Sequence, residues 1–392
     1  MLPRRPSAYE FNLLMTKILI IDNSVDTTGA FNSLIMAISK LDPKEFQFVY
    51  IFPEQSKYIE RLSAQGHKVY GLPFIEISRR KKDLLLYFPR LYSNARKIRK
   101  LVKKEGIDFI HVNDIYNMVG VLVKKLYGIP LITHVRRMPD SFPAVIYNSW
   151  SKMHIRYADK IVVSTEANKA AIPPNDKTVV MYDSVLEHED LPRYQPKEFL
   201  NREVTILYLA NYNDGKGHLH ALKMLKKALD ELKDWKFQLD FYGGDFGWQK
   251  NADYKQGLIE FARENNLIGS VHFNDKTTEI EKVYKSYDVV LNLSDSESFS
   301  RVTLDALFFG VPIVATDVGG TREMVLHEKT GLIAPPKDVD TIFTMFKKMI
   351  LDDNLRRTLS RNSYEFSRKE FSTERVVNTI RDVYTTVRES QK

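Results

Sequence analysis

Along most of the chain, short runs rich in β-branched and aromatic residues alternate with longer stretches of helical periodicity. The runs at 17–21, 46–52, 68–71, 108–112, 130–134 and 160–164 read as strands, and the segments between them as helices. From 184 to 202 both periodicities vanish and Pro192 and Pro196 punctuate a polar stretch, which marks a domain boundary. The alternation then restarts, with strands expected at 204–210, 237–243, 270–273, 288–293 and 312–316. Strand–helix alternation of this kind specifies parallel sheets covered by helices, the α/β class. The stretch 373–388 is helical with no strand after it, so it must pack on a domain already built. The expected organisation is an N-terminal domain over 1–190, a second over 202–370, and a helix over 371–392 that returns to the first.

A length of 392 residues suits two such domains. The absence of Cys excludes disulfides, thiolate nucleophiles and Cys metal sites, and fits a reducing compartment such as the cytoplasm. No apolar run is long enough to span a membrane, and the first residues lack a secretory cleavage pattern. Met15, immediately before the first strand, is an alternative start.

The net charge of +8 is local in origin. Between Arg79 and Glu105 lie eleven basic and two acidic residues, which leaves the rest of the chain near neutrality. Within 84–104, Leu84, Phe88, Leu91, Ala95, Ile98 and Val102 recur at steps of three and four, an apolar stripe on a helix whose other faces are cationic. Arg79, Arg80, Lys81 and Lys82 form the loop before it. The cations have two readings: a solvated outer face, or a docking surface for anionic lipid, where each charge gains about 1 kcal/mol.

The chemistry concentrates in 294–323, SDSESFSRVTLDALFFGVPIVATDVGGTRE. A strand end, a Ser-rich turn and a helix from about Phe299 to Phe309, stopped by Gly310, place unpaired N–H groups beside Ser298 and Ser300 as an anion site. Glu297 stands before that helix and Asp305 inside it. Two ionised carboxylates there can accept hydrogen bonds from sugar or ribose hydroxyls, or can act as a cap and a surface acid.

The pattern Glu297, Phe299, Asp305, Ala306, Gly310, Pro312, then Val314 to Asp317, Gly319, Gly320 and Glu323 resembles the retaining glycosyltransferases of family 4. That resemblance implies the GT-B fold, two Rossmann-like domains facing a central cleft. It also implies that Glu297 meets the donor sugar, Asp305 grips ribose, and the helix start at Ser298, Phe299, Ser300 and Arg301 holds the diphosphate. The segment LYLANYNDGKG, 207–217, is similar to the family's strand and G-R-x-x-x-x-K-G loop, with Asn211 at the Arg position and Lys216 on the diphosphate. Arg301 is the nearest residue to make good the missing Arg.

In the first half, Gly29 and Ala30 stand where the family has a phosphate-facing Gly-rich turn, and His134 matches the histidine beside the reacting sugar. Arg136 and Arg137 follow His134, either reaching an anionic substrate or lying on the outer face. Asp183 and Ser184 replace the Asn and Gly of the family's hinge element. The D-x-D at Asp338 to Asp340 opens a helix, where acids cap, so no metal site is expected.

The expected partners are a nucleotide-sugar donor as co-substrate, with no cofactor, a glycan or lipid-linked acceptor, and an anionic membrane surface at the inner face of the plasma membrane, but no nucleic acid. UDP is expected before GDP. The rival readings are a GT-B sugar-nucleotide epimerase, an inactive partner subunit, a nicotinamide dehydrogenase and a nucleic-acid binder. The dehydrogenase lacks a strand-linked G-x-G-x-x-G, and the nucleic-acid binder would account for the basic stretch alone.

Overall fold

The structure, a computed structural model, describes residues 15–74, 81–184, 194 and 202–391, and for 81–84 the backbone alone. Arg79, Arg80 and most of the expected interdomain stretch lie outside the described residues, as do the side chains of Lys81 and Lys82.

The described residues form thirteen strands: β1 Thr16–Asp22, β2 Phe46–Pro53, β3 Lys68–Leu72, β4 Phe109–Asn113, β5 Leu131–Val135, β6 Lys160–Val163, β7 Thr178–Val180, β8 Glu203–Leu209, β9 Lys236–Tyr242, β10 Val271–Asn274, β11 Val289–Asn292, β12 Ile313–Thr316 and β13 Leu332–Ala334. They build a seven-stranded sheet in the order β3-β2-β1-β4-β5-β6-β7 and a six-stranded sheet in the order β10-β9-β8-β11-β12-β13. The strand order reverses between β1 and β4 in the first sheet and between β8 and β11 in the second. Both pairs are parallel, with Ile18 opposite Phe109 and Val290 opposite Leu207. Ligands of open α/β sheets bind outside the carboxyl ends of the strands at such reversals.

By contact the chain divides into two compact units, residues 1–134, 152–161 and 380–392 in one, and 135–151 with 162–379 in the other. In the first unit Ile18, Leu19, Ile20 and Ile21 are all fully buried, because helices cover both faces of a parallel sheet. Tyr384, on the last helix Thr373–Glu389, rests its ring against Phe46, Phe48 and Phe109 at 5.9, 6.1 and 5.6 Å. Its hydroxyl meets His111 Nδ1 at 2.8 Å, and burial raises its pKa. In the second unit β8 splits its side chains by the strand period of two. Ile206 and Tyr208 enter a core with the helices His218–Glu231 and Val339–Leu351, and Leu207 enters another with Leu304 and Leu307.

Three expectations change. β7 and β13 are strands that the pattern does not announce, each only three residues long. The basic helix spans Lys81–Glu105, so Lys81 and Lys82 belong to the helix and not to a preceding loop. Phe88 does not join its buried stripe: it is 72% exposed, whereas Tyr87 is buried, with Asn94, Ala95 and Ile98 continuing the inner face. Stepping back from Leu91 by four reaches Tyr87 and by three reaches Phe88, and the helix turns the former inward.

Candidate functional site

The second unit gathers three loops at the carboxyl ends of β8, β11 and β12, where its strand order reverses. Tyr208 joins the first two: its hydroxyl donates to Lys216 O at 2.5 Å and accepts from Leu293 N at 3.3 Å. Gly217, at φ +76°, sits so close to β11 that a Cβ would lie 2.0 Å from Leu293 O. Only glycine combines that conformation with that approach. Asp295 N completes the seam by donating to Gly215 O at 2.8 Å.

This seam brings Lys216 and Glu297 together across 81 residues of sequence, with Nζ and Oε1 2.6 Å apart. Ser294 Oγ donates to the same carboxylate oxygen at 2.9 Å. Both side chains of the pair keep part of their surface open to solvent. A cation and an oriented carboxylate are therefore held at one point by backbone that cannot drift far.

The helix after them spans Arg301–Phe308, with Ser300 as its cap. Ser300 Oγ accepts from Thr303 N at 3.2 Å and is itself held by Asn292 Nδ2 at 2.8 Å. The Arg301 and Val302 N–H groups, at the first two helical positions, have no intrahelical acceptor by geometry and suit an anion. Arg301 donates to Ser184 O at 2.6 Å and approaches Asp305 Oδ1 at 3.4 Å. Asp305 is thus buried beside a guanidinium. Ser298 Oγ donates to Asn168 Oδ1, and Phe299 packs against Tyr182 and Phe371 at 6.0 and 5.7 Å.

The turn after β12 supports this loop from beneath. A Cβ on Gly319 would lie 1.7 Å from Glu297 O, one on Gly320 would lie 2.4 Å from Ser298 O, and Gly320 N donates to Ser298 O at 3.1 Å. The turn is in turn held by Glu323. Its Oε2 accepts from Glu166 N at 2.7 Å and Tyr182 Oη at 3.0 Å, and its Oε1 from Ala167 N at 2.8 Å.

Other residues singled out in the sequence take different places. Asn211 Oδ1 accepts from Gly244 N at 3.2 Å, so this side chain braces the neighbouring loop. Arg136 is neither on the outer face nor reaching outward: it is buried and donates to Asp183 Oδ1 at 2.9 Å. Asp183 therefore has a reason to stand where the family carries Asn, since a buried guanidinium needs a counter-charge.

In the first unit, His134 is fully buried on β5, its ring stacked on His111 with centroids 5.7 Å apart. Gly29 opens the helix Gly29–Ser39, whose cap Thr28 accepts from Phe31 N at 3.3 Å. Asp338 caps its helix, accepting from Thr341 N at 3.0 Å and Thr341 Oγ1 at 2.7 Å.

Residues 192–366 match the family model described as glycosyl transferases group 1, and residues 57–182 the model described as glycosyltransferase family 4. The chain belongs to the family 4 glycosyltransferases of GT-B type. An uncharacterized glycosyltransferase of Methanocaldococcus jannaschii is 29% identical over 308 residues, covering 74% of this chain and 79% of that one. The N-acetyl-alpha-D-glucosaminyl L-malate synthase of Bacillus anthracis is 21% identical over 357 residues, covering 83% and 91%. Among solved structures, Anabaena HepE in complex with UDP superposes with a TM-score of 0.77 at 17% identity, covering 95% of this chain and 100% of that one. The GT-B fold and glycosyltransferase class expected from residues 294–323 are therefore established.

Sequence reasoning overlooked Ser294, Tyr208, Asn292 and the Glu323 clamp. Ser294 and Asn292 carry a faint signal, being polar residues at the end of an apolar strand. Tyr208 and Tyr182 carry none, since Leu293 and Glu323, to which they bond, lie 85 and 141 residues away.

Proposed function

We propose that this glycosyltransferase moves a hexosyl group from a nucleotide-diphosphate sugar, UDP before GDP, to a lipid-linked or envelope glycan acceptor, with retention of anomeric configuration and without a metal. The observation that carries this reading is the Lys216–Glu297 pair, 2.6 Å apart, beside the free start of the helix Arg301–Phe308.

In the reaction the bond from the sugar's anomeric carbon to the diphosphate oxygen breaks. A bond from that carbon to the acceptor hydroxyl oxygen forms on the same face, and the hydroxyl proton passes to the departing diphosphate. Charge grows on that leaving group, where a fixed cation and fixed N–H donors are worth most. Lys216 and the Arg301 and Val302 N–H groups would take it, the diphosphate competing with Glu297 for the ammonium. Glu297, steadied by Ser294, would orient donor hydroxyls, and Asp305 would meet ribose. His134 would line the sugar pocket. UDP as leaving group is supported by Anabaena HepE, which has been solved with UDP and with UDP-glucose.

The acceptor reading draws on the helix Lys81–Glu105. Leu85, Phe88 and Tyr92 are 77, 72 and 50% exposed on it, and Arg96, Lys97, Arg99 and Lys100 follow on its solvent side. Exposed apolar groups beside a run of cations match the chemistry of an anionic bilayer surface. No helix among the described residues is long and apolar enough to cross a membrane.

The test of the donor is thermal unfolding with UDP, GDP, ADP and their hexoses. A ligand at a hundred times its Kd stabilises the fold by about 2.7 kcal/mol. UDP should raise the unfolding temperature most, in the presence or absence of EDTA. Equal effects of all three diphosphates, or an effect abolished by EDTA, would contradict the reading.

A further inference from the structure

We propose that a polar cavity of about 330 Å³ in the second unit binds a small zwitterion of hexose size, of which an amino sugar phosphate is the type. The proposal does not depend on the donor site. Three stretches line the cavity: the helix Glu166–Ala170 with Glu166 and Lys169, the residues at and after the end of β7 with Tyr182, and the junction of the helices Asp353–Glu370 and Thr373–Glu389 with Glu370 and Arg375. A volume of this size suits a ring-sized ligand better than a lone ion.

The three stretches are tied to one another, so the cavity exists before a ligand arrives. Glu323 accepts from Glu166 N at 2.7 Å, Ala167 N at 2.8 Å and Tyr182 Oη at 3.0 Å, and this one carboxylate joins the first stretch to the second. The Tyr182 ring meets Phe371 edge-on with centroids 5.2 Å apart, which joins the second to the third. A lining fixed in this way costs little further ordering on binding.

The charges of the lining set the ligand's chemistry. Lys169 Nζ stands 3.4 Å from a Glu166 carboxylate oxygen, and Arg375 Nη1 donates to Glu370 Oε2 at 2.5 Å. Glu166, Lys169 and Arg375 are about half-exposed, so these pairs are weak and open to exchange. Arg375 has five N–H donors and spends one on Glu370, which leaves the guanidinium able to take a phosphate. Both pairs act on one point, the Tyr182 hydroxyl: burial and Glu323 raise its pKa most, Glu166 raises it further, and Arg375 lowers it. A lone anion at Arg375 also meets the like charge of Glu370, and a lone ammonium at Glu166 meets that of Lys169. A ligand carrying both signs offsets each repulsion with its other end. The cavity therefore selects a zwitterion over either single charge, its phosphate on Arg375 and its ammonium on Glu166.

The experiment is calorimetric titration of the full chain, and of Arg375→Gln and Glu166→Gln, with four probes that differ only in charge: glucosamine 6-phosphate, glucose 6-phosphate, glucosamine and glucose. Both substitutions fall at half-exposed side chains, and Glu166→Gln keeps the backbone N–H that Glu323 accepts, so both variants should unfold at the temperature of wild type. Glucosamine 6-phosphate should bind wild type at least fivefold more tightly than glucose 6-phosphate or glucosamine, and glucose should bind weakest. In Arg375→Gln the zwitterion should bind no better than glucosamine binds wild type, and in Glu166→Gln no better than glucose 6-phosphate does. Glucosamine 6-phosphate binding no more tightly than both single-charge probes overturns the zwitterion. Binding that survives both substitutions, or no binding of any of the four, overturns the site.

Discussion

Replacing Glu323 by Ala removes a clamp that no single segment reveals. The carboxylate accepts from Glu166 N, Ala167 N and Tyr182 Oη at 2.7, 2.8 and 3.0 Å, and through the Gly319–Gly320 turn it supports the backbone of Glu297 and Ser298. Hydrogen bonds to a charged group contribute about 1.5–3 kcal/mol each when buried. Glu323 is half-exposed, so water replaces part of each bond, and we take about 1 kcal/mol per bond, or about 2–4 kcal/mol for the three. Glu323→Gln keeps the shape but turns one donor-accepting oxygen into a donor, so its cost falls between zero and that of Ala.

Tyr182→Phe removes one neutral donor and should cost about 0.5–1.5 kcal/mol alone, but close to nothing in the Glu323→Ala background. Urea unfolding of the four proteins, followed by tryptophan fluorescence, gives the cycle. UDP affinity should fall in Glu323→Ala and recover partly in Glu323→Gln. An unfolding midpoint unchanged by Glu323→Ala, or equal Tyr182→Phe costs in both backgrounds, would refute the clamp.

Other outcomes follow from single features. Gly217→Ala should cost more than Gly215→Ala in the same unfolding assay. Both have positive φ, worth about 1–2 kcal/mol against a Cβ, but only at Gly217 does the Cβ meet a carbonyl, at 2.0 Å; equal costs would contradict the tight seam. His154 and His218 are both lowered to about 4 by burial. The unfolded chain thus binds more protons between pH 6.5 and 4, and the stability from their neutral rings, complete above 6.5, is lost as pH falls through that window, about 2 kcal/mol each by pH 5. Asp22, raised by burial, works in the opposite sense, losing stability as pH rises from 3.8 towards its folded value. NMR titration should show both histidine rings neutral at pH 5, and a midpoint near 6.5 for either would be decisive against burial. Phe88→Glu with Tyr92→Glu should weaken binding to anionic vesicles severalfold without altering UDP affinity, and unchanged vesicle binding returns the helix to a merely solvated surface.

The elements of the candidate site in the second unit were legible in the sequence because their chemistry is compressed into contiguous text. A strand end, a Ser-rich turn, a capped helix and a Gly-Gly turn lie within 294–323, and the structure folds them into one loop cluster. Lys216 could be placed near Glu297 only through resemblance, since 81 residues separate them and the link is the buried hydroxyl of Tyr208. The Arg136–Asp183 pair was hidden for a similar reason: each residue alone reads as surface charge, and burial becomes affordable only when the fold joins them. Helical period misled at Phe88, where two registers serve equally until Tyr87 takes the inner position. β7 and β13 are too short for a period of two to register.

We propose that Lys216, Glu297 and the start of the helix Arg301–Phe308 form a donor site that activates a nucleotide-diphosphate leaving group. The most direct measurement is UDP release from a panel of UDP-hexoses by wild type, Lys216→Ala and Glu297→Ala, with circular dichroism confirming that all three are folded. Loss of a fixed donor to a developing oxyanion costs about 10²–10³ in rate. Wild type should turn over at least one UDP-hexose and each variant should lose that much rate; full activity in either variant would overturn the donor site.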